Sequence, residues 1–197
     1  FDIERAKKET EIEGIFPLTG EILKERFNEL FSAQHLLIVR DMIVDNGIEF
    51  DTTNTYFSDA SFVVNALVKA GEDAWFDGGS VYVWRHHNDS IHAPALCQKP
   101  RQKKGREKLE AYQKSIELLG EKDEAIRETL EYQLVRYCNA KFPSWIKGEV
   151  AEGYTAEFNN MRYWKPIMKK FGFLRRTEMK LVKKGKYRMT KPVIRFA

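Results

Sequence analysis

Residues 40–92 read RDMIVDNGIEFDTTNTYFSDASFVVNALVKAGEDAWFDGGSVYVWRHHNDSIH. Arg40–Asn46 predicts one or two helical turns, stopped by Asn46-Gly47. Ser58 is placed to cap a helix from Asp59 to about Lys69. Phe62, Val63, Ala66 and Leu67 give that helix an apolar stripe, and Gly71 ends it. Asp59 then stands in the first turn, where the helix dipole favours an anion. Ala74-Trp75-Phe76 and Val81-Tyr82-Val83-Trp84 read as strands, separated by the turn signal Asp77-Gly78-Gly79-Ser80. A polar cluster follows, Arg85, His86, His87, Asn88, Asp89 and Ser90.

Outward from this stretch the pattern changes. On the N-terminal side, Thr19 predicts the cap of a helix to about Ser32, with Ile22, Leu23, Phe27, Leu30 and Phe31 on one face. Leu36-Leu37-Ile38-Val39 is a short apolar run open to either a strand or a helix. On the C-terminal side the composition shifts at Gln98, and QKPRQKKGREK reads as a basic, apolar-poor linker. Leu109, Tyr112, Ile116 and Leu119 then mark one amphipathic helix. Ile126, Leu130, Leu134 and Tyr137 mark another, and the short connection through Gly120 predicts an antiparallel hairpin. Residues 155–170 read as a third helix ending before Gly172, and one or two short strands are expected around Lys184-Gly185-Lys186. The fold class is α+β. Mixed strands and helices run over residues 1–97, and residues 98–197 form a helical region with a basic tail.

The bulk composition bounds the function. The chain has 197 residues, 43% hydrophobic and 31% charged, enough to bury a sizeable core. A net charge of +4 is too small by itself to imply a nucleic-acid partner. The basic residues are concentrated, however, and between Lys165 and Arg195 the only acidic residue is Glu178. Such a tail favours an anionic surface, polymer or partner if its charges share a face. Cys97 and Cys138 make neither a zinc set nor a disulfide framework and read as free buried thiols. No apolar run approaches membrane-spanning length. The opening FDIERAKKETEIEG has neither Met nor a signal-peptide pattern, and reads as the start of a piece of a longer, cytoplasmic protein.

Taken in order, the helix opened by Ser58-Asp59, the strand Val81–Trp84 and the Arg85–Ser90 cluster resemble the acceptor half of a family-2-type inverting glycosyltransferase. The resemblance covers about residues 15–95. It implies a GT-A fold and transfer of a sugar from a nucleotide donor to an acceptor hydroxyl, typically in bacterial surface polysaccharide synthesis. It makes Asp59 the general base. The family usually has Glu-Asp at this helix start, and Ser58 stands in place of the Glu. Tyr82-Val83-Trp84-Arg85 and Asn88-Asp89-Ser90-Ile91 match the family's Tyr-x-Tyr/Trp-Arg strand end and Asp/Gly-Ser-Ile turn. By the same resemblance Arg85 and His86 would meet the donor diphosphate. His87, with His86 and His92 as alternatives, would ligate a divalent cation, Mn²⁺ or Mg²⁺. Read from the residues themselves, Trp75, Tyr82 and Trp84 offer an aromatic platform for the acceptor, or else pack in the core as alternating strand residues do. The family's Asp-x-Asp, which holds the metal and nucleotide in the preceding half, is not found here. The resemblance therefore implies an acceptor-side portion, inactive alone, with the metal held mainly upstream.

The partners implied are a nucleotide-sugar and a carbohydrate or polyol-phosphate acceptor. The C-terminal region could add contact with the inner membrane face or with a second copy. Two other readings compete. One is a transferase-derived scaffold without catalysis, suggested by Ser58. The other is a non-catalytic polyanion-binding module, in which Tyr163, Trp164, Phe171, Phe173, Tyr187 and Phe196 interleave with basic residues as in proteins that stack bases. No nucleic-acid-binding motif accompanies that pattern.

Overall fold

The structure, a computed structural model, describes residues 14–23, 33, 36–77, 101–141 and 148–186. These are mostly helical, with one antiparallel ribbon of two short strands. The mixed fold class holds only in that coarse sense. Strand β1 (Ile15–Pro17) pairs with β2 (Trp75–Asp77), Phe16 opposite Phe76. Thr19 caps the helical turn that follows β1, its Oγ1 accepting from the Ile22 amide at 3.3 Å. Residues 20–23 are helical, and the remainder of the predicted helix lies outside the described residues.

Helix α1 (Arg40–Asp45) ends as its sequence predicts. Gly47 takes a positive φ of 58°. Its amide donates to the Val44 carbonyl at 3.2 Å, and the Ile48 amide reaches back to Ile43 at 3.0 Å. These two bonds satisfy carbonyls that a helix end leaves free, and Ile48 is thereby turned into the core. Helix α2 (Ser58–Ala70) buries Phe62, Val63, Val64, Ala66 and Leu67. Phe50 stacks on Phe62, ring centroids 4.1 Å apart, and so fixes the approach to this helix. Ser58 does not cap α2. It is the first helical residue, and Phe57 occupies the N-cap position without a side-chain hydrogen bond.

Helix α3 (Arg101–Glu117) and α4 (Glu124–Lys141) form the predicted hairpin. The basic stretch read as a linker is instead helical from Arg101. Gly105, Glu107, Lys108 and Leu109 are buried there, because the apolar stripe of α3 continues one turn further back than its aliphatic residues reveal. The single helix expected over 155–170 is two, α5 (Gly148–Asn160) and α6 (Trp164–Lys169). Pro166 explains the break. It has no amide to donate and its ring would clash with the carbonyl of residue 162 in a continuous helix, but it is tolerated in the first turn of a new one. The Glu131 carboxylate collects the amides released at the break, Arg162 at 3.1 Å and Tyr163 at 2.8 Å.

Before Lys184-Gly185-Lys186 the chain forms helix α7 (Phe173–Lys183) and no strand, ending at Gly185 with φ 70°, and the rest of the expected strand region, from residue 187, lies outside the described residues. Met179 and Val182 recur at helical spacing and both are buried, so the Lys-Gly-Lys turn signal marks the end of a helix. One core joins α2 through α7 and includes Phe62, Tyr112, Leu134, Tyr154, Ile167 and Met179. Helix α2 lies before residue 97, and α3, against which it packs, lies after it. Two close approaches seat α3 on α5. A side chain on Gly153 would meet Leu109 Cδ2 at 2.5 Å, and the Tyr154 hydroxyl donates to the Gly105 carbonyl at 3.1 Å. Among the described residues no helix is long and apolar enough to cross a membrane.

Candidate functional site

Asp59 lies in the first turn of α2, half-buried, where α2 faces α3. Its Oδ2 accepts the Ala33 amide at 3.3 Å. The segment leading into α2 is fastened before the helix begins. Asn54 Oδ1 accepts the amides of Tyr56 at 3.2 Å and Phe57 at 2.8 Å, an Asx turn that takes the place of the missing Ser58 cap. The Asn54 Nδ2 amide donates to the Glu107 carbonyl at 2.7 Å. Glu107 Oε2 accepts the Thr55 and Tyr56 amides at 3.0 and 2.9 Å, and Lys103 stands 3.3 Å from its other oxygen. Asp51 accepts the Thr53 amide and hydroxyl and pairs with Lys114 at 2.7 Å. Burial pushes the Asp51 carboxyl up, but Lys114 and Thr53 outweigh it and hold it below its ordinary value. These contacts draw the segment 51–57 onto one side of α3.

Lys108 is the least expected member of this neighbourhood. It is only 8% exposed. Its ammonium stands over the Phe57 ring at 4.8 Å and the Tyr137 ring at 6.0 Å, a cation–π arrangement. Phe57 and Tyr137 meet edge to face. Burial pulls the Lys108 ammonium down to about 8, partly opposed by the negative charge of Asp59. The negative charge of Asp59, at the start of α2, is thus felt at one buried cation on α3. Such an arrangement can hold a carboxylate in a fixed orientation for proton abstraction, or serve purely as a structural joint between α2 and α3.

Of the residues the sequence nominates, Asp59 and Trp75 lie in described parts of the chain. Tyr82, Trp84, Arg85, His86 and His87 lie outside them. Trp75 is 62% exposed on β2, while Phe76 turns partly inward. Strand β2 leaves from the opposite end of α2, so about 15 Å of helix lies between Asp59 and that strand. A cavity of about 350 Å³ occupies that far end, lined by Leu18, Gly20, Leu67, Ala74 and Ala125 among others. Gly20 closes one wall, where a Cβ would meet that of Ala125 at 2.9 Å. Among the described residues no group of three or more His, Cys, Asp or Glu side chains could hold a metal ion. Cys138 is a free buried thiol, raised well above the usual range first by burial and then by the nearby Glu178 carboxylate.

Sequence reasoning missed Asn54, Glu107 and Lys108. One signal for them exists. Lys108 stands four residues before Tyr112 and seven before Ser115, so extending the α3 stripe backward places it on the buried face. In comparisons with known proteins, the chain matches no family model, no curated protein and no solved structure.

Proposed function

We propose that this chain is the acceptor-side portion of a family-2-type glycosyltransferase of GT-A fold, in which Asp59 takes the proton from the acceptor hydroxyl. The observation that carries the reading is the placement of Asp59 in the first turn of a buried helix. Its carboxylate is oriented by the Ala33 amide and lies near the Lys108 cation. A general base needs such fixed geometry, so that its oxygen meets the attacking hydroxyl at hydrogen-bond distance. The motif resemblance over residues 15–95 supplies the reaction class. A divalent cation, which would offset charge on the leaving diphosphate, belongs to that class. His87 is its candidate ligand in this chain, and Arg85 and His86 are the candidates for the diphosphate; all three lie outside the described residues.

The test is Asp59→Asn in the complete enzyme, assayed with nucleotide-sugar donors. Turnover should fall by about 10²-fold or more with donor binding little altered. A second reading, a transferase-derived scaffold, is favoured by one observation: the Asp59 carboxylate is already engaged with a backbone amide. In a scaffold Asp59→Asn would leave turnover unchanged and alter only stability.

A further inference from the structure

The corner between α6 and α7 carries two apolar side chains that the core does not use. Phe173 is 74% exposed and Leu174 40%. Phe173 opens α7, and Lys180 and Lys184 follow it at the spacing of one helical face, opposite the buried Met179 and Val182. Lys165 and Lys169 are exposed on α6, just before the corner. None of these four lysines ion-pairs with a described residue. The one acidic residue in this part of the chain, Glu178, is buried and paired with Arg175 at 3.2 Å. Among the described residues these four lysines are therefore left unpaired, while the neighbouring Lys170 pairs with Glu128 at 3.8 Å, and an apolar tip projects from the corner.

We propose that this corner binds an anionic lipid surface. Phe173 and Leu174 would enter the headgroup boundary, and the flanking lysines would meet lipid phosphates. Exposed apolar side chains among lysines on a short helix are the composition of interfacial attachment, with apolar insertion and charge attraction acting together. Nucleic acid fits the corner less well, because Phe173 is its one exposed aromatic among the described residues and two others are packed inward. Trp164 packs on Phe158 at 5.3 Å beneath Lys183, and Phe171 packs on Tyr132 at 5.8 Å. Leu174 offers no stacking plane. The proposal goes beyond the transferase reading and needs no sugar chemistry for its test, so either can fail alone.

The experiment is co-sedimentation of the whole 197-residue chain with vesicles of phosphatidylcholine, alone or mixed with phosphatidylglycerol. Binding to the mixed vesicles at low salt is expected, with release as salt rises and none to phosphatidylcholine alone. Lys165→Gln with Lys169→Gln should lower the partition coefficient on the order of ten-fold. Phe173→Ser with Leu174→Ser should lower it by a similar factor, roughly. All four side chains are exposed, so both double variants should keep the parent's thermal melt. Absence of binding to the mixed vesicles overturns the proposal. So does binding that survives Phe173→Ser/Leu174→Ser unchanged while a single-stranded oligonucleotide competes it away, which would make the corner a general polyanion site.

Discussion

Lys108 is a buried cation held by aromatic faces and a neighbouring carboxylate, and its titration should be visible in the stability of the protein. In the unfolded chain a lysine keeps its proton to about 10.4, whereas here the proton is lost near 8. The unfolded state therefore binds more protons between those values, and stability rises with pH across that window. The gain should be on the order of 2–3 kcal/mol. Lys183 is shifted the same way, chiefly by burial, and adds to it. Tyr112 and Tyr137, pushed upward by burial, begin to oppose the gain as pH nears 10, and the buried Cys138 thiol, also raised by burial, opposes it from about pH 9. The urea midpoint should rise between pH 7.5 and 9 for the parent, before the tyrosines titrate, and by less for Lys108→Met. An equal rise in both would show that Lys108 does not carry the effect.

At the scale of the element, helix ends show how local chemistry sets the chain's path. Gly47 and Gly185 each hold a positive φ and close a reciprocal pair of bonds at the ends of α1 and α7. Gly47→Ala and Gly185→Ala should each cost roughly 1–2 kcal/mol in chemical denaturation, since only the left-handed backbone is at stake and a Cβ meets open space. These ends also show what was legible. Asn46-Gly47 announced its stop, the stripe of α2 announced a helix, Trp75 and Phe76 announced a strand, and Gly120 announced the hairpin turn. Lys184-Gly185-Lys186 carries the same kind of signal but reads equally as a turn beside short strands, because a glycine between lysines suits both. The first two turns of α3 were hidden by their charge, since burying Lys108 and Glu107 depends on Phe57, Asn54 and Tyr137, all remote in sequence. The α5–α6 break was available in Pro166. Its partner Glu131 was not, because a glutamate inside a helix gives no hint that it will collect two amides from elsewhere. The site was legible to the same degree. The position of Asp59 at a helix start was readable, whereas its neighbours Ala33 and Lys108 arrive through tertiary packing.

Across the whole molecule, Glu131 ties α4 to the junction of α5 and α6, and its carboxyl is raised by burial despite the two amides that favour its charged form. Glu178, buried between α7 and the core, is raised by burial in the same way. Both groups hold their protons more tightly when folded, so their contribution is greatest below about 4.5 and declines as pH rises through their folded values. Glu131→Ala should remove roughly 2–4 kcal/mol, because two buried amides lose their acceptor and a void remains. Glu131→Gln keeps an acceptor oxygen and the volume, and should cost less than half as much in the same denaturation experiment. Parity between the two variants would mean that the amides find another partner.

The buried face of α2 is completed by α3, so the elements before residue 97 and those after it share one interior. Neither set keeps a closed interior once the other has melted. Whatever chemistry Asp59 performs and whatever surface the α6–α7 corner meets, the two have a common lifetime. Heat, a denaturant or a damaging substitution in one withdraws the other at the same moment.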